Sequence, residues 1–232
     1  MSVVSDRIRL PATGATHPSR WWPASAHLLL IAVSVLYCAI VFIRTSQSMA
    51  FTYDEVVYAS QVAVDTEATR FTAPRSRGMT LLLAPVLVFT DSVYATRVYL
   101  ALLSGVLLYL AFRPWLRVTA DLGGRWRYLP PVAAGCFVSL WLVQLYGTMG
   151  YPNLWLAFVL VAGVGSFVRA VTEASPAWPA VTAVGGAFAA ASLLRPTDAV
   201  AAAAPLLVAP LVVRQWRRLR PVLAVVVGLL VG

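Results

Sequence analysis

Met79–Phe89 reads MTLLLAPVLVF, and whether this run crosses a membrane decides the fold of the whole chain. It offers 11 residues with Pro85 near the middle, where a crossing helix needs about 20. Runs of ~10–14 apolar residues are more often re-entrant or interfacial. Longer apolar runs lie on both sides of it: His27–Ile43, Val93–Phe112, Pro130–Tyr146, Pro152–Val168, Trp178–Leu194, Ala199–Val213 and Pro221–Gly232. Most of them approach the ~17–25 residues that span a bilayer, and tilted neighbours tolerate the shorter ones. The composition agrees. Hydrophobic residues make up 60% of the 232 and charged residues 12%, with a mean hydropathy of +0.78. A soluble domain of this size cannot hide so much apolar side chain, and a disordered chain would not carry it. The class that remains is a polytopic, all-α membrane bundle.

Charge sets the topology. The net charge is +9, and all 18 basic residues are arginine. In a membrane protein this basic balance concerns sidedness, and it calls for no nucleic acid partner. With the N-terminus inside and Met79–Phe89 not crossing, 12 arginines fall inside: Arg7, Arg9, Arg20, Arg113, Arg117, Arg125, Arg127, Arg169, Arg214, Arg217, Arg218 and Arg220. Six fall outside: Arg44, Arg70, Arg75, Arg77, Arg97 and Arg195. A crossing at Met79–Phe89 would move the Arg113–Arg127 and Arg214–Arg220 clusters to the outside, against the positive-inside rule. The expectation is seven crossings, a cytoplasmic segment 1–26 anchored by Trp21-Trp22, and a plasma-membrane location. Residues 27–232 form one transmembrane module. The chain ends inside an apolar run, so a further C-terminal module is expected to follow it. Cys38 and Cys136 lie in apolar runs and read as small core residues; His17 and His27 lack ligand spacing.

This topology makes residues 44–92 one long external loop carrying an interfacial helix, and rigid bundles commonly display function on such loops. Phe51-Thr52-Tyr53-Asp54-Glu55-Val56 is its most informative stretch. Thr52 and Glu55 have the spacing of a capping box, and Phe51 with Val56 that of a hydrophobic staple, so a helix starts here. Acids in its first turn suit the helix dipole. The capping reading and a functional reading stand about even on spacing alone. In the functional one, a carboxylate at the membrane surface takes the proton of an attacking hydroxyl. Capping occupies Glu55 more than Asp54, which leaves Asp54 as the base. Asp65 and Glu67 read as solvated charges.

A first crossing followed by an external loop with Tyr53-Asp54-Glu55 ahead of a helix resembles the GT-C glycosyltransferases, in particular the protein O-mannosyltransferase and aminoarabinose-transferase branch. Three further features are similar: a juxtamembrane helix like Met79–Phe89, a crossing that begins with Arg after a polar stretch like Thr96-Arg97-Val98, and a Tyr-containing turn like Tyr146–Pro152. The His-Pro-Pro-Leu motif of those relatives is absent, and Arg75-Ser76-Arg77-Gly78-Met79-Thr80 stands in its place. The resemblance implies a polyprenyl-phosphate-linked sugar as donor and a lipid, glycan or protein acceptor on the external face. It implies Asp54 as catalytic base, with Glu55 shaping the helix start or assisting.

Arg75, Arg77 and Arg195 are the expected holders of the donor phosphate, since guanidinium groups grip phosphate oxygens through paired donors. Arg195 ranks first because it occupies a very short break, Leu194-Arg195-Pro196-Thr197-Asp198, between two crossings. For each arginine the alternative is interfacial snorkelling, or for Arg195 a local pair with Asp198. Tyr53 is a sugar-stacking candidate by adjacency; Tyr146, Tyr151 and Trp155 read as an aromatic belt. No motif requires a cofactor, although the acids leave a divalent cation open. The rival readings are a lipid or small-molecule transporter or flippase, against which stands the scarcity of charge inside the spans, and a non-catalytic subunit that keeps a glycosyltransferase-like scaffold.

Overall fold

The computed structural model describes residues 24–45, 50–64, 66–72, 76–120, 122, 124–172, 178–212 and 219–232, with side chains described except at 209–212 and 219. The N-terminal segment, Asp65, Arg75 and the arginines at 214, 217 and 218 lie outside them. Among the described residues the fold is all helical: α1 (Ala24–Ile43), α2 (Tyr53–Ala59), α3 (Gly78–Leu87), α4 (Val93–Ala120), α5 (Leu129–Ser139), α6 (Trp141–Tyr146), α7 (Pro152–Thr172), α8 (Trp178–Leu194), α9 (Pro196–Val212) and α10 (Leu219–Val231).

Three of these helices, α1, α4 and α7, are long and apolar enough to cross a membrane. α7 packs between α4 and α8, α1 lies against α4, and α10 covers α8. The core is built from one row of each helix, such as Leu100, Leu108 and Ala111 of α4 with Leu154 and Phe158 of α7. The opposite rows stay apolar while exposed: Leu28, Val35, Leu36 and Ile43 of α1, Leu102 and Val106 of α4, Val227 and Leu230 of α10. A contiguous apolar exterior of that extent fits lipid as its solvent.

Hydrogen bonds sort the helix ends into two groups. At one end, Arg44 after α1 bonds Gln144 of α6, and Arg97 at the start of α4 bonds the Thr148 carbonyl ahead of α7 at 2.7 Å. At that same end, Arg195 after α8 bonds Asn153 of α7 at 2.8 Å. At the other end, Ser25 of α1 meets Tyr128 ahead of α5 at 3.0 Å, and His27 meets Tyr109 late in α4 at 3.1 Å. Along the chain, α1, the α5–α6 pair and α8 therefore run toward the Arg97 end of the bundle, and α4 and α7 run away from it.

Pro130–Tyr146 is not one helix: Leu140 takes an extended conformation (φ −66°, ψ 127°) between α5 and α6. The break is held by side chains, Ser139 donating to the Cys136 carbonyl at 2.7 Å and Gln144 to the Val138 carbonyl at 3.1 Å. Cys136 faces outward and is no core residue; both cysteines are free. By contrast α3 behaves as its length demands. Its 10 residues rise about 15 Å, half a hydrocarbon core. Met79, Leu83 and Leu87 line its buried face, while Leu81 points outward, 59% exposed. That is the pattern of a helix lying on a bundle.

Candidate functional site

The site forms where α2, α3, α4, the α6–α7 turn and the α8–α9 turn meet. α2 starts as its sequence dictates. Thr52 is extended (φ −74°, ψ 166°), and Thr52 and Glu55 close the capping box; the Thr52 amide donates to Glu55 Oε2 at 2.9 Å. The cap, however, is only part of what Glu55 does. Its side chain is fully buried, and Arg97, equally buried, forms an ion pair with both of its oxygens. The Arg97 Nη2 contact to Glu55 Oε2 is 2.8 Å. The Gly150 amide donates to Glu55 Oε1 at 2.6 Å. Arg97 in turn donates to the carbonyls of Thr148 (2.7 Å) and Ala50 (2.9 Å) and packs its guanidinium 5.3 Å from the Phe51 ring centre.

One carboxylate and one guanidinium thus tie together three stretches that are distant in sequence: the α2 start, the α4 start and the turn before α7. Burial by itself would raise the Glu55 carboxyl, but the hydrogen bonds from Arg97, Gly150 and Thr52 outweigh it and hold the group below its ordinary range. Tyr151 adds a further tie, donating to Thr52 Oγ1 at 2.9 Å. With both oxygens engaged and no exposed surface, Glu55 anchors the start of α2.

The neighbouring residues follow from that anchor. Asp54 is half-buried in the first turn of α2, and it carries a polar contact of its own. Tyr53, the first residue of α2, is 75% exposed. Arg77, exposed, is the residue before α3. The next residue, Gly78, lies so close to α8 that an added β-carbon would sit 2.5 Å from the Leu193 carbonyl oxygen, and Ser76 donates to the Leu194 carbonyl at 2.5 Å. This contact seats the 76–78 segment directly against the turn that holds Arg195. Arg195 pairs with Asp198 (3.0 Å) and Asn153 (2.8 Å) while its side chain stays 44% exposed. The local pair named as the alternative is therefore present, with the guanidinium still open to the surface. Arg75 lies outside the described residues.

Sequence reading undervalued Arg97, which it placed among the external arginines. An arginine five residues into an apolar helix is a standing request for a partner, and that was the available signal. It also placed Trp155 in a surface belt. Trp155 is fully buried instead, its indole donating to the Met149 carbonyl at 3.2 Å, and so braces the same turn from beneath. Among the described residues no group of three His, Cys, Asp or Glu side chains could hold a metal ion. No protein-family model matches this chain, and neither does any curated protein or solved structure.

Proposed function

We propose that this protein is a membrane glycosyltransferase of the GT-C type, moving a sugar from a polyprenyl-phosphate donor to a hydroxyl acceptor at the Arg97 end of the bundle. The observation that carries the reading is the buried Glu55–Arg97 pair. It fixes the start of α2, which carries Asp54 and packs on α3, and the segment that opens α3 with Arg77 rests against the turn that holds Arg195. A buried ion pair costs desolvation and is weak evidence for stability alone. A rigidly held acidic turn next to open arginines is what a positioned base and a held phosphate need.

In this reading the donor enters from the bilayer with its phosphate against Arg195 and Arg77, joined by Arg75 as the sequence suggests. Asp54 accepts the proton of the acceptor hydroxyl as that oxygen attacks the anomeric carbon. The bond from that carbon to the phosphate oxygen breaks, and polyprenyl phosphate leaves as an anion held by guanidinium groups. One displacement inverts the anomeric configuration. The acceptor is a lipid, glycan or protein, and Tyr53 stands where a sugar ring can stack. The bundle crosses the plasma membrane seven times with the N-terminus in the cytoplasm and the site outside.

Two experiments test this placement. In a background lacking Cys38 and Cys136, a cysteine at position 91 should react with impermeant thiol reagents added from outside. Reaction only from the cytoplasmic side overturns the topology and the site with it. Arg195→Ala should weaken donor binding about tenfold, the size of a lost charge-assisted contact, and Arg195→Lys should recover part of it. Unchanged affinity for the lipid donor in the folded Ala variant would reduce Arg195 to an interfacial anchor. The function itself is tested by release of polyprenyl phosphate coupled to glycosylation of an acceptor by the purified full chain.

A further inference from the structure

A second basic feature lies at the opposite end of the bundle, in a cavity of about 350 Å³ between α4, α7 and α8. Arg113 and Arg117 of α4 and Arg169 of α7 line it, together with the buried Ser166, and Leu110 and Pro179 contribute to its apolar wall. Among the described residues no acidic side chain lines it. We infer that this cavity holds the phosphate of an anionic lipid headgroup, in the leaflet opposite the candidate site. The inference needs only the membrane bundle and is independent of the sugar-transfer reading.

Arg113 and Arg117 follow Arg97 by 16 and 20 residues on one continuous helix. At about 1.5 Å per residue they stand ~24–30 Å from it along the axis, close to the ~30 Å of a hydrocarbon core. Arg97 marks one interface, so the cavity sits at headgroup level on the other.

Arg113 and Arg117 are spaced i, i+4 and share one face of α4, and Arg169 approaches from α7, so three guanidinium groups border one concave space. Each already has a polar or electrostatic contact, but a guanidinium has five donors and keeps capacity for phosphate oxygens after one of them is used. Asp121 and Glu173 follow Arg117 and Arg169 by four residues in sequence and lie outside the described residues. Even with both counted, Arg125, Arg127 and Arg220 leave this end of the bundle positive.

Shape decides for a lipid over a free anion. The wall combines arginine heads with Leu110, Ala162 and Ala183 between membrane helices, so charge and hydrocarbon are contacted at once. Basic pockets between transmembrane helices recognise anionic headgroups by this combination.

The test places the full chain in phosphatidylcholine nanodiscs doped with phosphatidylglycerol and measures enrichment of the anionic lipid on the protein. Arg113→Gln with Arg117→Gln should lower the enrichment about tenfold, the loss of charge-assisted phosphate contacts. Arg125→Gln, which removes an exposed charge at the same end but outside the cavity, should change it less than about twofold. Arg117→Lys should keep part of it, and helicity and thermal unfolding are followed to confirm that each variant folds. Equal losses for Arg125→Gln and the cavity variants, or no enrichment over phosphatidylcholine, would overturn the proposal. Displacement of the lipid by inorganic phosphate alone would assign the cavity to a soluble anion and overturn the lipid assignment.

Discussion

Arg97→Ala is expected to destabilise the protein by about 3–5 kcal/mol, because it leaves the Glu55 carboxylate buried without its partner. The loss should appear as a lowered unfolding midpoint and as release of α2 from the bundle. A double change, Glu55→Leu with Arg97→Met, removes both charges. It should cost less than Arg97→Ala alone, although it forfeits the cap, worth about 1 kcal/mol. The pH dependence has a definite sign. Glu55 has its folded carboxyl pKa below the ordinary value of about 4.3. Its stabilisation is therefore complete above that ordinary value and is lost as pH falls through the lower folded one. Thermal unfolding of wild type and variants across the acidic range checks this. A variant without the pair that shows the same acid dependence as wild type would contradict the assignment.

The second large effect concerns chemistry and not folding. Asp54→Asn keeps shape and most capping capacity but removes the proposed base. Transfer should fall by ~10²–10⁴-fold, the usual contribution of a positioned general base, with the unfolding temperature close to wild type. Glu55→Gln should behave in the opposite way. It can still cap, yet it withdraws the charge that Arg97 needs, so stability and activity should fall together. The pair of variants separates a base from a structural acid one residue away, about 100° around the helix.

The two roles of Glu55 were unequally legible from sequence. The capping box is visible because its partners lie three residues apart and the geometry of a helix start is local. The ion pair joins residues 42 apart, and only packing of α2 against α4 creates it. The Arg195–Asp198 pair, at i and i+3, was legible for the same local reason as the cap. The short helix α3 was legible from its length and Pro85. The break at Leu140 was not, since neither glycine nor proline occupies that position and side chains of Ser139 and Gln144 hold it. Trp155 misled because tryptophan favours membrane interfaces, while here it fills the space below the α6–α7 turn. The meeting of Gly78 with the Leu193 carbonyl, which brings two basic turns together, is a tertiary event that no spacing announces.

In the proposed reaction Asp54 on α2 takes the acceptor's proton while sugar passes from a lipid phosphate at the Arg97 end of the bundle. Its most direct measurement is the release of polyprenyl phosphate from a polyprenyl-phosphate sugar by the full chain in bilayers, with product stereochemistry read on the acceptor. Acceptor-dependent release with inversion at the anomeric carbon is expected in wild type, falling ~10²–10⁴-fold in folded Asp54→Asn. Release that is equal in wild type and Asp54→Asn, or transfer with retention, would contradict it.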